Sequence, residues 1–297
     1  MIGFSPPRWY FKFPIPHVIA RVRQHPRKFL YTEGIILRFI DFHTHVYPDG
    51  IAMKAADHIR EFYGFGVPEI NGTVDMLLER GTAAGTSEFV ILPVATNPGK
   101  TRHVNDFILQ SVAQQPRFYG FGTVHAAMDD LMDEVAYIRE QGLRGIKMHP
   151  DCQKFNIDDE RLFPMYEQLQ GELPIIFHMG DDRYEYSHPA RLRQVLKLFP
   201  RLQVIAAHFG SYAIYKEAFE QLKDQDCFFD VSSSLMFMGE GVAEGYINYY
   251  GADRFVYGSD YPMWDPVVEM ERFLKLKLTD EQLEQIAHKT AEGILKL

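Results

Sequence analysis

Several absences narrow the function of this 297-residue chain. No apolar run approaches the roughly 20 residues needed to cross a bilayer, so no membrane span is expected. Only two cysteines occur, Cys152 and Cys227, far apart and outside any CxxC pair. With no secretory signal, they read as reduced thiols of a cytoplasmic protein. No GxGxxG or GxxxxGK[ST] turn follows a strand-like run, and no internal repeat or low-complexity tract stands out. A net charge of −9 leaves no general basic surface for nucleic acid. Apolar residues still make up 46%, enough for a sizeable core.

The charge is unevenly spread. Residues 1–40 hold seven Lys/Arg and one acid, a net of +6 against the total of −9, so the remainder carries −15. The opening is also rich in proline and aromatic residues, including Pro6, Pro7, Trp9, Tyr10, Phe11, Pro14 and Pro16. It reads as a basic N-terminal extension over 1–35, outside the core, followed by a single domain over 36–297.

From residue 36 onward, strand and helix patterns alternate. Strands are expected at 36–43, 87–94, 117–124, 143–149, 174–179, 203–208, 226–232 and 254–259. Most are short Val/Ile/Phe/Leu/Tyr runs, as in sheets buried on both faces. Helices are expected at 73–84, 101–115, 129–141, 159–170, 189–199, 211–223 and 264–273, with another opened by Thr279. The connection from Val46 to Gly72 is long enough to hold a helix near 51–63. Eight strands with intervening helices predict an α/β fold, a (β/α)8 TIM barrel, which gathers the C-terminal ends of its strands at one mouth.

Those ends carry ligand-type side chains. His43 and His45 are two residues apart, so on a strand they point the same way and can chelate one ion. Asp41 precedes them as a residue able to orient a ligand. His178 and His208 close two later strands, each followed by a residue and then glycine. Asp260 follows Phe255–Ser259, where a carboxylate can bind metal or take a proton from water. Lys147 and His149 share a strand face, and Arg183 lies just beyond the His178 strand.

In their order these islands resemble the amidohydrolase superfamily, and more closely its branch containing aminocarboxymuconate-semialdehyde decarboxylase and related metal-dependent hydrolases. The matching segments are IDFHTHVYP at 40–48, GLRGIKMHPDCQKF at 142–155, LPIIFHMG at 173–180, FPRLQVIAAHFG at 199–210 and DRFVYGSDYPMW at 253–264. The resemblance implies His43, His45, His178 and Asp260 as ligands of one divalent ion, zinc or alternatively manganese. It places His208 beside the metal, acting on water or substrate, and gives Asp260 a second role in proton transfer. Lys147, His149 and Arg183 become candidate substrate contacts. Near the C-terminus AHKTAEGIL departs from the asparagine-alanine pair frequent in relatives, which leaves open how the last helix seals the barrel.

Two reactions fit such a site. In the first reading, metal-activated water attacks the carbonyl of a small amide, ester or lactone. In the alternative, a metal-held aromatic or unsaturated acid loses carbon dioxide without oxidation. A third reading, an inactive barrel serving as a binding module, would be favoured by a missing ligand, but all four are present. The expected partners are a small-molecule substrate, with carboxylates among the candidates, and further copies of the chain in a homo-oligomer.

Overall fold

The computed structural model of the chain describes residues 31–32, 35–67 and 69–297. Most of the N-terminal extension lies outside the described residues. At its end β1 (Tyr31–Thr32) pairs antiparallel with β2 (Ile35–Ile36) in a separate two-stranded sheet.

The apolar runs that follow become short parallel strands. They are β3 (Ile40–Thr44), β4 (Glu88–Ile91), β5 (Phe118–Gly120), β6 (Gly122–Thr123), β7 (Ile146–Met148), β8 (Ile175–Phe177), β9 (Val204–Ala206), β10 (Phe228–Asp230) and β11 (Phe255–Val256). The run expected at 117–124 is two pieces because the strand changes partner at Phe121. The Phe121 N–H donates to Ile91 O, whereas the Gly122 N–H donates to Gly145 O. A Cβ on Gly145 would stand 2.4 Å from the Phe121 ring, so only glycine leaves room there.

The strands form two arcs, β3-β4-β5 and β6-β7-β8-β9-β10-β11. Their open edges meet at a seam. The Phe42 N–H donates to Tyr257 O at 2.8 Å, the His45 N–H to Tyr261 O at 2.7 Å, and the Asp260 N–H to His43 O at 2.8 Å. With β5 and β6 counted as one stave, these bonds close the eight-stranded barrel expected from the sequence.

Side chains alternate between two cores, as period two requires. Ile40, Phe42, Val90, Leu92, Ile176, Ile205 and Val256 fill the barrel interior, while Phe39, Phe89, Ile91, Ile146, Ile175, Phe177 and Val204 pack under the helices. The helix Thr290–Leu295 plugs the interior from one end with Ala291, Ile294 and Leu295, which settles how AHKTAEGIL seals the barrel.

The expected helices occur with shifted ends. The helix at 73–84 runs Val74–Ala84, and Thr73 caps it by accepting the Met76 N–H. The helix at 189–199 runs Pro189–Leu198, with the His188 ring accepting the Ala190 N–H. The helix expected from 211 starts only at Tyr215, because His208, Phe209 and Gly210 all take positive φ and turn the chain first. The long first connection carries the helix Asp49–Tyr63. No helix among the described residues is long and apolar enough to cross a membrane.

The plug should matter for stability. Ile294 is almost wholly buried, so I294A should cost roughly 2–5 kcal/mol in urea unfolding, as large-to-small core changes do. A loss below ~0.5 kcal/mol, the scale of a surface change, would show that the plug does not carry the interior.

Candidate metal centre

The barrel mouth is built partly from unusual backbone. The register slips between Asp41 and Thr44, so Phe42 enters the interior while the adjacent His43 still reaches the mouth. His208, Ser233 and Asp260 hold φ values of 61°, 51° and 57°, a left-handed region that non-glycine residues seldom adopt. Such backbone persists only where its surroundings over-determine it, and here it turns three polar side chains toward one space.

His43, His45 and Asp260 bring one ligand atom each within 4.8 Å of the others. Asp260 Oδ1 lies 3.5 Å from Nε2 of both histidines, and the two Nε2 atoms are 3.2 Å apart. Their tautomers follow from acceptor-only partners. His43 Nδ1 meets Asp230 Oδ2 at 2.8 Å and His45 Nδ1 meets Leu92 O at 2.6 Å, so each Nδ1 donates and each Nε2 keeps its lone pair. Two lone pairs aimed at each other over 3.2 Å, beside a carboxylate, call for a cation. Lys147 Nζ, 3.2 Å from His43 Nε2, answers part of that demand. The donor set, with its outer hydrogen bonds in place, fits a divalent ion.

A second group contains His149, Asp151 and His178. His208 Nδ1 faces Ser232 Oγ at 3.0 Å and Ser232 O at 3.3 Å, which makes it a donor and leaves Nε2 to accept from His178 Nδ1 at 3.1 Å. The Cys152 N–H donates to His149 Nδ1, so His149 Nε2 donates to Tyr63 Oη at 2.8 Å. The Tyr63 hydroxyl then points to His178 Nε2 at 3.3 Å. Thus a directed chain runs from His149 through Tyr63, His178 and His208 to Ser232. His178 is occupied within it, outside the group formed by His43, His45 and Asp260.

Burial sets the charges. Desolvation, reinforced by nearby Lys147 and other imidazoles, holds His149 and His178 well below the usual histidine range, and brings His208 down to about 4. These three imidazoles are therefore neutral at pH 7. Burial alone would raise the Asp260 carboxyl, but His43, His45 and His208 outweigh it and keep the group ionised. Desolvation lowers Lys147 to about 8, with Asp260 and Asp230 opposing the shift.

Other sites lie elsewhere than the sequence suggested. Asp41 Oδ1 accepts the backbone N–H groups of Ser259 (2.9 Å) and His43 (3.3 Å), so it holds backbone and not an imidazole. Asp230 does the orienting: Oδ2 takes the His43 ring, and Oδ1 takes the His208 N–H and Ser232. Arg183 forks onto both oxygens of Asp181 and donates to Phe62 O, and it does not line the cavity. Asp230, Tyr63 and Ser233 were missed from sequence. Asp230 alone left a signal, a carboxylate ending a buried strand as Asp260 does. Ser233 donates to Asp260 Oδ2 and accepts from Trp264 Nε1, leaving Oδ1 toward the histidines.

The ligand-type groups open into one cavity of about 1080 Å3, which His43, His45, Lys147, His178, His208 and Asp260 help to line. A histidine–carboxylate cluster at the mouth of a β/α barrel defines the class of a metal-dependent barrel enzyme. The amidohydrolase family profile matches residues 40–297, and the chain belongs to that family. No curated protein sequence matches it. Solved structures share the fold. An uncharacterized TIM-barrel protein from Bordetella bronchiseptica is 22% identical over 88% of this chain and 99% of its own, with a TM-score of 0.74. A dihydroxybenzoic acid decarboxylase from Polaromonas sp., solved with manganese and the inhibitor 2-nitroresorcinol, is 15% identical over 87% and 97%, with a TM-score of 0.68. A putative 2-pyrone-4,6-dicarboxylic acid hydrolase from Pseudomonas putida is 17% identical over 88% and 98%, with a TM-score of 0.63.

Because Asp230 fixes the tautomer of His43, D230N should weaken divalent-ion affinity about 10- to 100-fold, as losing such an orienting carboxylate does. Competition with a fluorescent chelator measures it. Unchanged affinity would mean that His43 needs no orienting partner.

Proposed function

We propose that this chain is a metal-dependent decarboxylase of small aromatic acids, with His43, His45, Asp260 and His178 as ligands of one zinc or manganese ion. The observation that carries the reading is Lys147, a cation with only 1% of its surface exposed, set beside the ligand cluster at the base of a cavity rich in aromatic walls. A buried cation costs free energy unless an anion pairs with it. A ring bearing a carboxylate satisfies both the cation and the walls. The donor set itself suits zinc and manganese equally.

When bound, the ion supplies Lewis-acid polarisation of a substrate oxygen. The rest falls to the chain. Lys147 holds the substrate's anionic group, and the neutral His208 contacts it from the end of β9, two strands away. Asp260 is ionised in the free protein, so it first accepts a proton from a substrate hydroxyl or from water. As the bond between ring carbon and carboxylate breaks, the electron pair stays on the ring carbon. Asp260 returns the proton there and carbon dioxide departs. His178, now bonded to Tyr63 and His208, would hold the ion once Tyr63 frees its Nε2.

Hydrolysis is the second reading, supported by the fold shared with the Pseudomonas putida protein. Asp260 then takes the proton of the attacking water, and Lys147 holds a carboxylate of a lactone substrate.

Incubation of the metal-loaded protein with dihydroxybenzoates and with a pyrone dicarboxylate, followed by mass spectrometry, separates the two. Decarboxylation yields carbon dioxide and a ring product lacking the carboxyl group. A ring-opened acid without gas release would establish hydrolysis instead, and turnover of neither class would remove both readings. Elemental analysis should find about one ion per chain, and H178A should retain it less well. Two ions with Lys147 carboxylated would overturn the single-ion assignment. D260N should lose at least ~100-fold in turnover even with excess metal, the scale of losing a general acid–base group. Near-native turnover would reduce Asp260 to a replaceable ligand and pass the proton to His208.

A further inference from the structure

The groups assigned to the chemistry occupy only the base of the cavity. At about 1080 Å3 it sits at the top of the ~300–1000 Å3 range of drug-sized ligand sites, well beyond what one ring and a carboxylate fill. Above the base rise two aromatic walls. On one side Phe62 stacks with Tyr184 (6.1 Å, 20°), which stacks with Tyr186 (6.0 Å, 29°). On the other, Phe65 stacks with Trp264 (5.8 Å, 21°) and meets Phe237 at 5.8 Å.

Tyr63 joins the walls, with its ring 4.9 Å from Phe62 and 5.9 Å from Phe65. Its hydroxyl drops onto His149 and His178, so it divides the polar base from the aromatic mouth. Each wall is braced from behind. The Arg183 guanidinium, pinned by Asp181, stands 4.5 Å from the Phe62 ring centre and 5.4 Å from that of Tyr184. The Trp264 indole N–H is held by Ser233. Rings held in place this way lose little freedom when a ligand stacks on them. Even so, Tyr184 and Phe237, one on each wall and both lining the cavity, remain 40% exposed. Large apolar rings left wet at a cavity mouth mark a binding surface.

We propose that this mouth is a second subsite, taking an aryl group attached to the acid-bearing ring, so that the substrate is a two-ring aromatic acid. The inference rests on the carboxylate reading of the metal centre. The distal group is aryl and not anionic because both walls present ring faces and Arg183 beside them is already neutralised by Asp181. Lys154, the other cation lining the cavity besides Lys147, belongs to neither ring stack. Apolar burial and stacking then add to the affinity fixed by the carboxylate at the base.

Calorimetry on the zinc-loaded full chain with salicylate and 3-phenylsalicylate tests it, since the two differ by one ring. The phenyl derivative should bind at least about tenfold more tightly, given the area and stacking of one aromatic ring. Tyr184→Ala and Phe237→Ala should each bring the ratio of affinities toward one. Equal affinity for both ligands, or an advantage that survives both substitutions, overturns the subsite and leaves the carboxylate reading intact. Tighter binding of a single ring with a second carboxylate than of 3-phenylsalicylate would assign the space to a distal anion, against the proposal. Failure of every acid to bind would overturn the carboxylate reading and this inference with it.

Discussion

Barrel closure and site assembly are the same set of hydrogen bonds. At the seam between β3 and β11, the Asp260 N–H donates to His43 O, the His45 N–H donates to Tyr261 O and the Phe42 N–H donates to Tyr257 O. These bonds unite the two sheet arcs, and they also fix Asp260 against the two histidines at the opposite end of the sequence. A residue more than two hundred positions away thereby becomes a neighbour without a dedicated loop. Backbone bonds shielded in a barrel are costly to break unpaired, so the spacing of the three ligand groups inherits the rigidity of the fold.

The chemistry of the centre depends on which nitrogen of each ring is engaged. Carboxylate and carbonyl partners below the mouth turn every relevant Nδ1–H downward at His43, His45 and His208. Burial keeps the His208 ring neutral, so its upward nitrogen carries a lone pair. Asp230 anchors two of these residues at once through its two oxygens, and His43 and His208 keep it ionised despite complete burial. The proposed metal ligands are thus only the upper layer of a hydrogen-bonded platform.

The cavity divides by polarity. Its base concentrates charge, lone pairs and a lysine that burial makes easier to discharge, while its mouth presents ring faces braced by Arg183 and Trp264. The helix Asp49–Tyr63, inserted between β3 and β4, supplies the boundary through Phe62 and Tyr63. An insertion in a loop at the catalytic end of a barrel changes what the site admits without disturbing its chemistry.

The sequence alone determined the alternation of strand and helix, and so the barrel. Runs such as Ile175–Phe177 and Val204–Ala206 are short, apolar and bounded by breakers, a pattern with few solutions. It also marked His43, His45, His178, His208 and Asp260, because ligand-type residues at strand ends must meet at one mouth. Tertiary structure decided the remainder. The sequence spacing made Asp41 the partner of an imidazole, but Asp41 accepts backbone N–H groups and the fold brings Asp230, 187 residues beyond His43, onto that ring instead. Arg183 reads as a substrate contact, but its neighbour Asp181 and the Phe62 carbonyl, the latter brought close only by folding, occupy its donors. Local pattern fixes which residues can reach the mouth; partners distant in sequence fix what each does there, since hydrogen-bond direction and burial exist only once the chain has closed on itself.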